Sequence, residues 1–216
     1  MIGNNLSDDE KRMLEIKRML HRSMNGVVSE SMKAKGADYR LNYGVAYPRL
    51  KEIAANYGKD KLFAEQLWAS SVREMKILAT MLYPPETFEE VTAEEWIDSF
   101  TQLEMVEQAC FNLFSLLAYA PSLACRCVKS ESKWRRITGL LLAYRLSLKN
   151  CSWTNEEVKQ LAEVVKPLLS ETVPSIELRV AVQLLNVLSR NVQYRPLLED
   201  VLAGEGDDWL DEENEK

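Results

Sequence analysis

The sequence contains no run of uncharged apolar residues approaching the ~18 that a membrane span needs, and its first ten residues are polar and acidic rather than signal-like. A cytoplasmic protein is therefore expected. Histidine is almost missing: His21 is the only one, and it lies far in sequence from the Cys125-x-Cys127 pair. With no second pair to complete a tetrahedral zinc site, Cys110, Cys125, Cys127 and Cys151 are expected to be buried thiols, and neither a disulfide framework nor a metal is implied. Sustained apolar–polar alternation bounded by hairpin signals is also missing, since Asn25-Gly26 lies between helical stretches; strand content should be near zero. Nor is there a composition break that would force a second domain. Residues 1–203 are expected to form one helical domain, followed by an acidic tail at 204–216.

What the chain does have is the balance of a packed protein, 46% hydrophobic and 28% charged. Its net charge of −6 is unevenly spread: residues 86–108 carry eight acids and no base, residues 122–150 carry seven bases and one acid, and residues 199–216 carry nine acids and one base. The body, residues 1–198, is thus slightly positive and the tail accounts for the overall sign.

Helix starts are signalled by a hydroxyl followed three residues later by Glu, the reciprocal box that satisfies orphaned backbone donors. Four such pairs occur: Ser7 with Glu10, Ser71 with Glu74, Thr92 with Glu95, and Thr154 with Glu157. Breaks are expected at Gly36, Gly44 with Pro48, Gly58, Pro84 with Pro85, Pro121, Pro167, Pro174 and Pro196. The stripe Val72, Met75, Leu78, Ala79 and Leu82 has helical spacing and reads as a core face. A nearly apolar stretch predicts a central helix over 102–119, with Asn112 as a core amide bonded to a neighbouring helix or loop.

Three segments resemble one another: Val72-Arg-Glu-Met-Lys-Ile-Leu-Ala, Trp134-Arg-Arg-Ile-Thr-Gly-Leu-Leu and Leu178-Arg-Val-Ala-Val-Gln-Leu-Leu. Each sets an apolar residue before Arg and a buried-looking run. A helix pair cannot bury its apolar face alone, so stacked pairs are expected: an all-α, HEAT-like helical-repeat solenoid with a concave face open to a partner. A plain irregular bundle is the alternative.

On these residues the chain resembles the AlkD-like DNA alkylation repair family of HEAT-repeat DNA glycosylases. Tyr43-Gly44-Val45-Ala46-Tyr47-Pro48-Arg49-Leu50-Lys51 is similar to that family's entry into its second repeat, Gln66-Leu67-Trp68 through Arg73-Glu74 to its Glu-Leu-Trp stretch, and Lys133-Trp134-Arg135-Arg136-Ile137 to the segment ending in its site arginine. The resemblance implies a protein that contacts the phosphodiester backbone of double-stranded DNA around a lesion and releases cationic alkylated purines through an oxocarbenium-like transition state, with no cofactor. It places the site acid on Glu107 and the site arginine on Arg136. The two tryptophans that the family uses as aromatic walls fall on Leu103 and near Leu184, so the cation–π support of ~0.5–2 kcal/mol per contact is missing.

Glu107 read alone sits in an acidic helix start, where the dipole favours negative charge. Arg126, Lys129, Lys133, Arg135, Arg145 and Arg179 are the expected phosphate-binding residues, since affinity for a duplex comes mainly from neutralised phosphates. Trp68, Trp96, Trp134 and Trp153 read as helix-packing residues. The tail, anchored by Trp209 and Leu210, is a candidate competitor for the basic face. Three functional readings follow for a monomer: a glycosylase using Glu107 and Arg136, a non-catalytic binder of distorted duplex, and a protein-interaction scaffold.

Overall fold

The computed structural model describes residues 7–170 and 175–203; the acidic tail at 204–216 and Pro174 lie outside the described residues. Two compact units divide the chain, Met1–Glu89 and Glu90–Lys216. Every regular element among the described residues is helical, and the only β pairing there is an isolated bridge between Leu41 and Val72.

In the first unit, Ser7 and Glu10 form the expected reciprocal cap of α1 (Asp8–Arg22), whose apolar side buries Ile16 and Leu20. Asn25 caps α2 (Gly26–Ala34), a helix that buries none of its residues. Then come α3 (Tyr47–Ala54), α4 (Lys61–Trp68) capped by Asp60, and α5 (Arg73–Leu82), with both α3 and α4 packed on α5. The Val72 stripe faces inward as its spacing predicts, with Met75, Leu78, Ala79 and Leu82 at most 2% exposed.

The Ser71–Glu74 pair is not a cap. The N-cap of α5 is Val72, without a side-chain bond, and Glu74 is fully buried. Its carboxylate accepts from the backbone N–H of Tyr43 (3.1 Å) and Val45 (3.2 Å) and from Arg73 Nη1 (2.9 Å). Burial of a charge is tolerable when so many donors face it. Glu74 thereby fastens the loop that carries Gly44, whose φ of +68° and contact with the Asn25 carbonyl leave no room for a Cβ.

The second unit holds α6 (Glu90–Asp98), α7 (Leu103–Asn112), α8 (Ala120–Val128), α9 (Lys133–Leu148), α10 (Asn155–Leu169), α11 (Ile176–Ser189) and α12 (Arg195–Leu202). Helix pairs α8/α9 and α10/α11 pack as repeats; α9 also packs on α7 and α11, while α10 packs on α8 and α12. Two rows result, α7-α9-α11 and α8-α10-α12, which is the stacking the weak sequence repeats predict. Those three repeats fall on α5, α9 and α11. Where α8 meets α9, Gly139 is required: a Cβ there would lie 2.5 Å from the Val128 nitrogen.

Two expected boundaries shift here. Thr92 lies inside α6, which already begins at Glu90, so it caps nothing; Thr154 with Glu157 does form the reciprocal cap of α10. The single helix expected over 102–119 breaks at Leu113 and continues as a 3-10 turn, Phe114–Leu116. The break is stabilised from outside the segment: Lys149 Nζ, at the end of α9, donates to the Ser115 hydroxyl at 2.9 Å and reaches its carbonyl at 3.5 Å. Asn112 is half-buried and donates within its own helix, to Gln108 Oε1 at 3.1 Å. Proline opens helices more often than it ends them, in the first turns of α3, α8 and α12. Pro167 lies within α10, two residues before its end, so the helix does not stop where expected, and the missing N–H removes one rung of its last turns.

Candidate nucleic-acid interface

Glu107 lies on α7 half-buried, and burial raises its pKa above the usual carboxylate range; Arg179 on α11 and Arg145 on α9 pull against that shift, while Glu104, one turn earlier, adds to it. The row α7-α9-α11 therefore brings together one carboxylate and two guanidinium groups from positions spread over more than seventy residues. One turn further along α7, Phe111 is 47% exposed, and the Arg145 guanidinium lies over its ring, 4.9 Å from the centroid. Phe111 was not singled out by sequence; its i,i+4 spacing from Glu107 was the available signal. Arg145 makes no hydrogen bond or ion pair among the described residues, and its Nε is buried without an acceptor.

Arg136, the expected site arginine, has partners of its own. Its Nε donates to Glu177 Oε1 at 2.8 Å, and its Nη1 donates to the carbonyls of Ser130 (3.1 Å) and Glu131 (2.8 Å). The side chain joins the α8–α9 loop to the first turn of α11.

The positions expected to hold aromatic walls are occupied by aliphatic groups in different settings. Leu184 is fully buried in the core, and Leu103 is half-buried in the first turn of α7.

The basic run of 122–150 and the acidic run of 86–108 meet each other in the fold. Arg126 Nη2 lies 3.1 Å from Glu90 Oε2 and 3.5 Å from Glu94 Oε1. Arg135 binds Asp98 with two donors at 2.6 Å and also pairs with Glu94; its hydrogen bonds hold the Asp98 carboxyl below the usual range. Lys149 is committed to Ser115. Lys129, Lys133 and Arg179 remain exposed with no ion pair among the described residues.

Sequence reasoning missed a second basic group. Between residues 17 and 51 there are eight bases and two acids. Lys17, Arg18, Arg22, Lys33, Lys35, Arg40 and Lys51 are all exposed and make no ion pair or side-chain hydrogen bond among the described residues; Arg49 pairs with Glu52 at 2.7 Å. The overall net charge and the stronger contrast further along the chain hid this group.

No cluster of His, Cys, Asp and Glu among the described residues could hold a metal ion. The four cysteines are free thiols; Cys110 and Cys127 are buried as expected, whereas Cys125 and Cys151 are only half-buried, and burial pushes Cys125 up to about 11 and Cys127 to about 12. Trp96 and Trp153 are buried, and Lys76 Nζ sits over the half-buried Trp68 ring at 4.5 Å. A cavity of about 350 Å³ opens between the C-terminal ends of α9 and α11, lined in part by Cys151, Trp153, Arg190 and Tyr194, and includes none of the charged residues above. No helix among the described residues is long and apolar enough to cross a membrane.

Helix pairs stacked in two rows, with cations displayed on α9, α11 and the N-terminal helices, define an all-α, HEAT-like repeat protein. The chain belongs to the DNA alkylation repair enzyme family, whose sequence pattern matches residues 16–181. Its fold is similar to that of a solved structure described as a new family of proteins related to the HEAT-like repeat DNA glycosylases with affinity for branched DNA structures. The TM-score is 0.73 at 19% identity, covering 87% of this chain and 79% of that one. No curated protein matches the sequence significantly.

Proposed function

We propose that the protein binds DNA through its phosphates and favours sites where the duplex is branched or its base pairing is interrupted. The observation that carries this reading is the unequal use of its basic residues. Arg126, Arg135 and Arg136 are held by acids of the same unit, whereas seven exposed bases of the first unit, with Lys129, Lys133 and Arg179 of the second, have no ion pair among the described residues. Like charges left unpaired on a surface repel one another, and a polyanion relieves that repulsion while releasing its own counterions. Membership of the DNA alkylation repair enzyme family and the branched-DNA affinity stated for the structural relative support the same partner. Fluorescence anisotropy of labelled fully paired duplex and of a three-way junction, across a salt series, tests it. Affinity should fall steeply with salt and be higher for the junction; no binding at low salt would sink the proposal.

A second reading, excision of cationic alkylpurines with Glu107 as the site carboxylate, is favoured by the half-burial of Glu107 beside Arg145 and Arg179. The carboxylate would stabilise positive charge developing on the sugar. Base release from 7-methylguanine duplex, abolished in Glu107→Gln, is the expected result; an unchanged Glu107→Gln rate would remove Glu107 from the chemistry.

A further inference from the structure

Resting on the DNA-binding reading, we propose that Phe111 and Arg145 form a seat for a single unpaired nucleotide, the base stacking on the Phe111 ring and its phosphate taken by Arg145 and Arg179. Large exposed aromatic side chains are uncommon in this chain: Phe111 is the only Phe or Trp among the described residues whose exposure reaches 47%. It stands on the same helix face as Glu107; Arg145 lies over the ring at 4.9 Å and swings off that face as a base takes its place, which frees its guanidinium for the phosphate.

Arg145 itself is under-committed. It has no hydrogen bond or ion pair among the described residues: its Nε is buried without an acceptor, and its Nη groups bond none either. A phosphate oxygen is taken by the Arg145 Nη groups, and Arg179, exposed and within electrostatic range of Glu107, supplies a second cation. Aromatic faces take any base, because every base has a π-face, so the seat reads the absence of pairing rather than sequence. A fully paired duplex keeps its bases stacked inside and cannot use the ring. The seat therefore explains how one protein could bind duplex through phosphates yet prefer interrupted pairing.

The test uses the full chain and two DNA probes carrying 2-aminopurine, one with the analogue unpaired at a junction and one with it paired in continuous duplex. Wild type should quench the unpaired probe on binding, and Phe111→Ala should abolish the quenching and weaken binding of that probe roughly tenfold while leaving the paired duplex within about twofold. Phe111→Trp should restore both, and Arg145→Gln should weaken the unpaired probe more than the paired one. Equal weakening on both probes in Phe111→Ala, or quenching retained by it, overturns the seat. Absence of binding to either probe by wild type instead removes the DNA-binding reading on which the seat depends.

Discussion

Arg136 Nε and Glu177 Oε1 lie 2.8 Å apart, so the arginine that the sequence resemblance put forward for the site is tied to a carboxylate only 8% exposed at the start of α11. The pair links two neighbouring helices of the α7-α9-α11 row. Arg136→Ala should therefore cost stability, about 1–3 kcal/mol, because it leaves Glu177 without its cation. Glu177→Ala should cost a similar amount, and the double variant should cost less than the two together in urea unfolding. Additive effects would show that the pair is not coupled.

Charge reversal separates the two basic groups. Lys33→Glu with Arg40→Glu removes cations that have no ion pair among the described residues, so DNA affinity should drop and the slope of log affinity against log salt should flatten by roughly 0.9 for each phosphate that is no longer neutralised. Arg126→Glu with Arg135→Glu breaks pairs with Glu90, Glu94 and Asp98, so its main expected effect is a lower Tm. The reverse pattern in anisotropy and thermal melts would relocate the interface.

Glu107 makes stability depend on pH in a direction opposite to most carboxylates. Burial raises its pKa, so the fold disfavours the ionised form, and stability declines as pH rises from the ordinary carboxylate pKa through the raised one. Glu107→Gln removes that dependence. Its Tm should match wild type near pH ~4 and exceed it at pH ~8, measured by thermal melts across the range.

Asp60 acts with the usual sign. Arg12 Nη1 donates to it at 2.7 Å and holds its carboxyl low, and its other oxygen caps α4 by accepting from the Phe63 N–H at 3.1 Å. Stability from this carboxylate is present above the ordinary Asp pKa and lost as pH falls through the lowered one. Asp60→Asn should keep the cap but remove the acid dependence, whereas Asp60→Ala should cost a further ~1 kcal/mol in urea unfolding.

Gly139 offers a packing test free of charge. A methyl group added there meets the backbone of α8 at 2.5–2.8 Å, so Gly139→Ala should lower stability despite the better helix propensity of alanine, by about 1–3 kcal/mol. An unchanged or higher Tm would mean that α8 and α9 separate at no cost.

The helical content, the caps at Ser7 and Thr154, the core stripe of α5 and the repeats on α5, α9 and α11 were legible in the order of amino acids alone, because these depend on interactions within a few residues. Family membership was legible for the same reason: its motifs are short and local. What each charge faces was settled by the packing of helices instead. Arg73, Arg135 and Arg179 occupy equivalent places in the repeats, yet one is buried beside Glu74, one is clasped by Glu94 and Asp98, and one is exposed in the field of Glu107. Spacing along a chain specifies which face of its own helix a residue occupies, but a Coulomb interaction depends on through-space distance, and that is set by how helices stack. For that reason the acidic run could not be seen to neutralise part of the basic run, and neither the Phe111–Arg145 contact nor the unpaired N-terminal cations were legible before the helices were assembled.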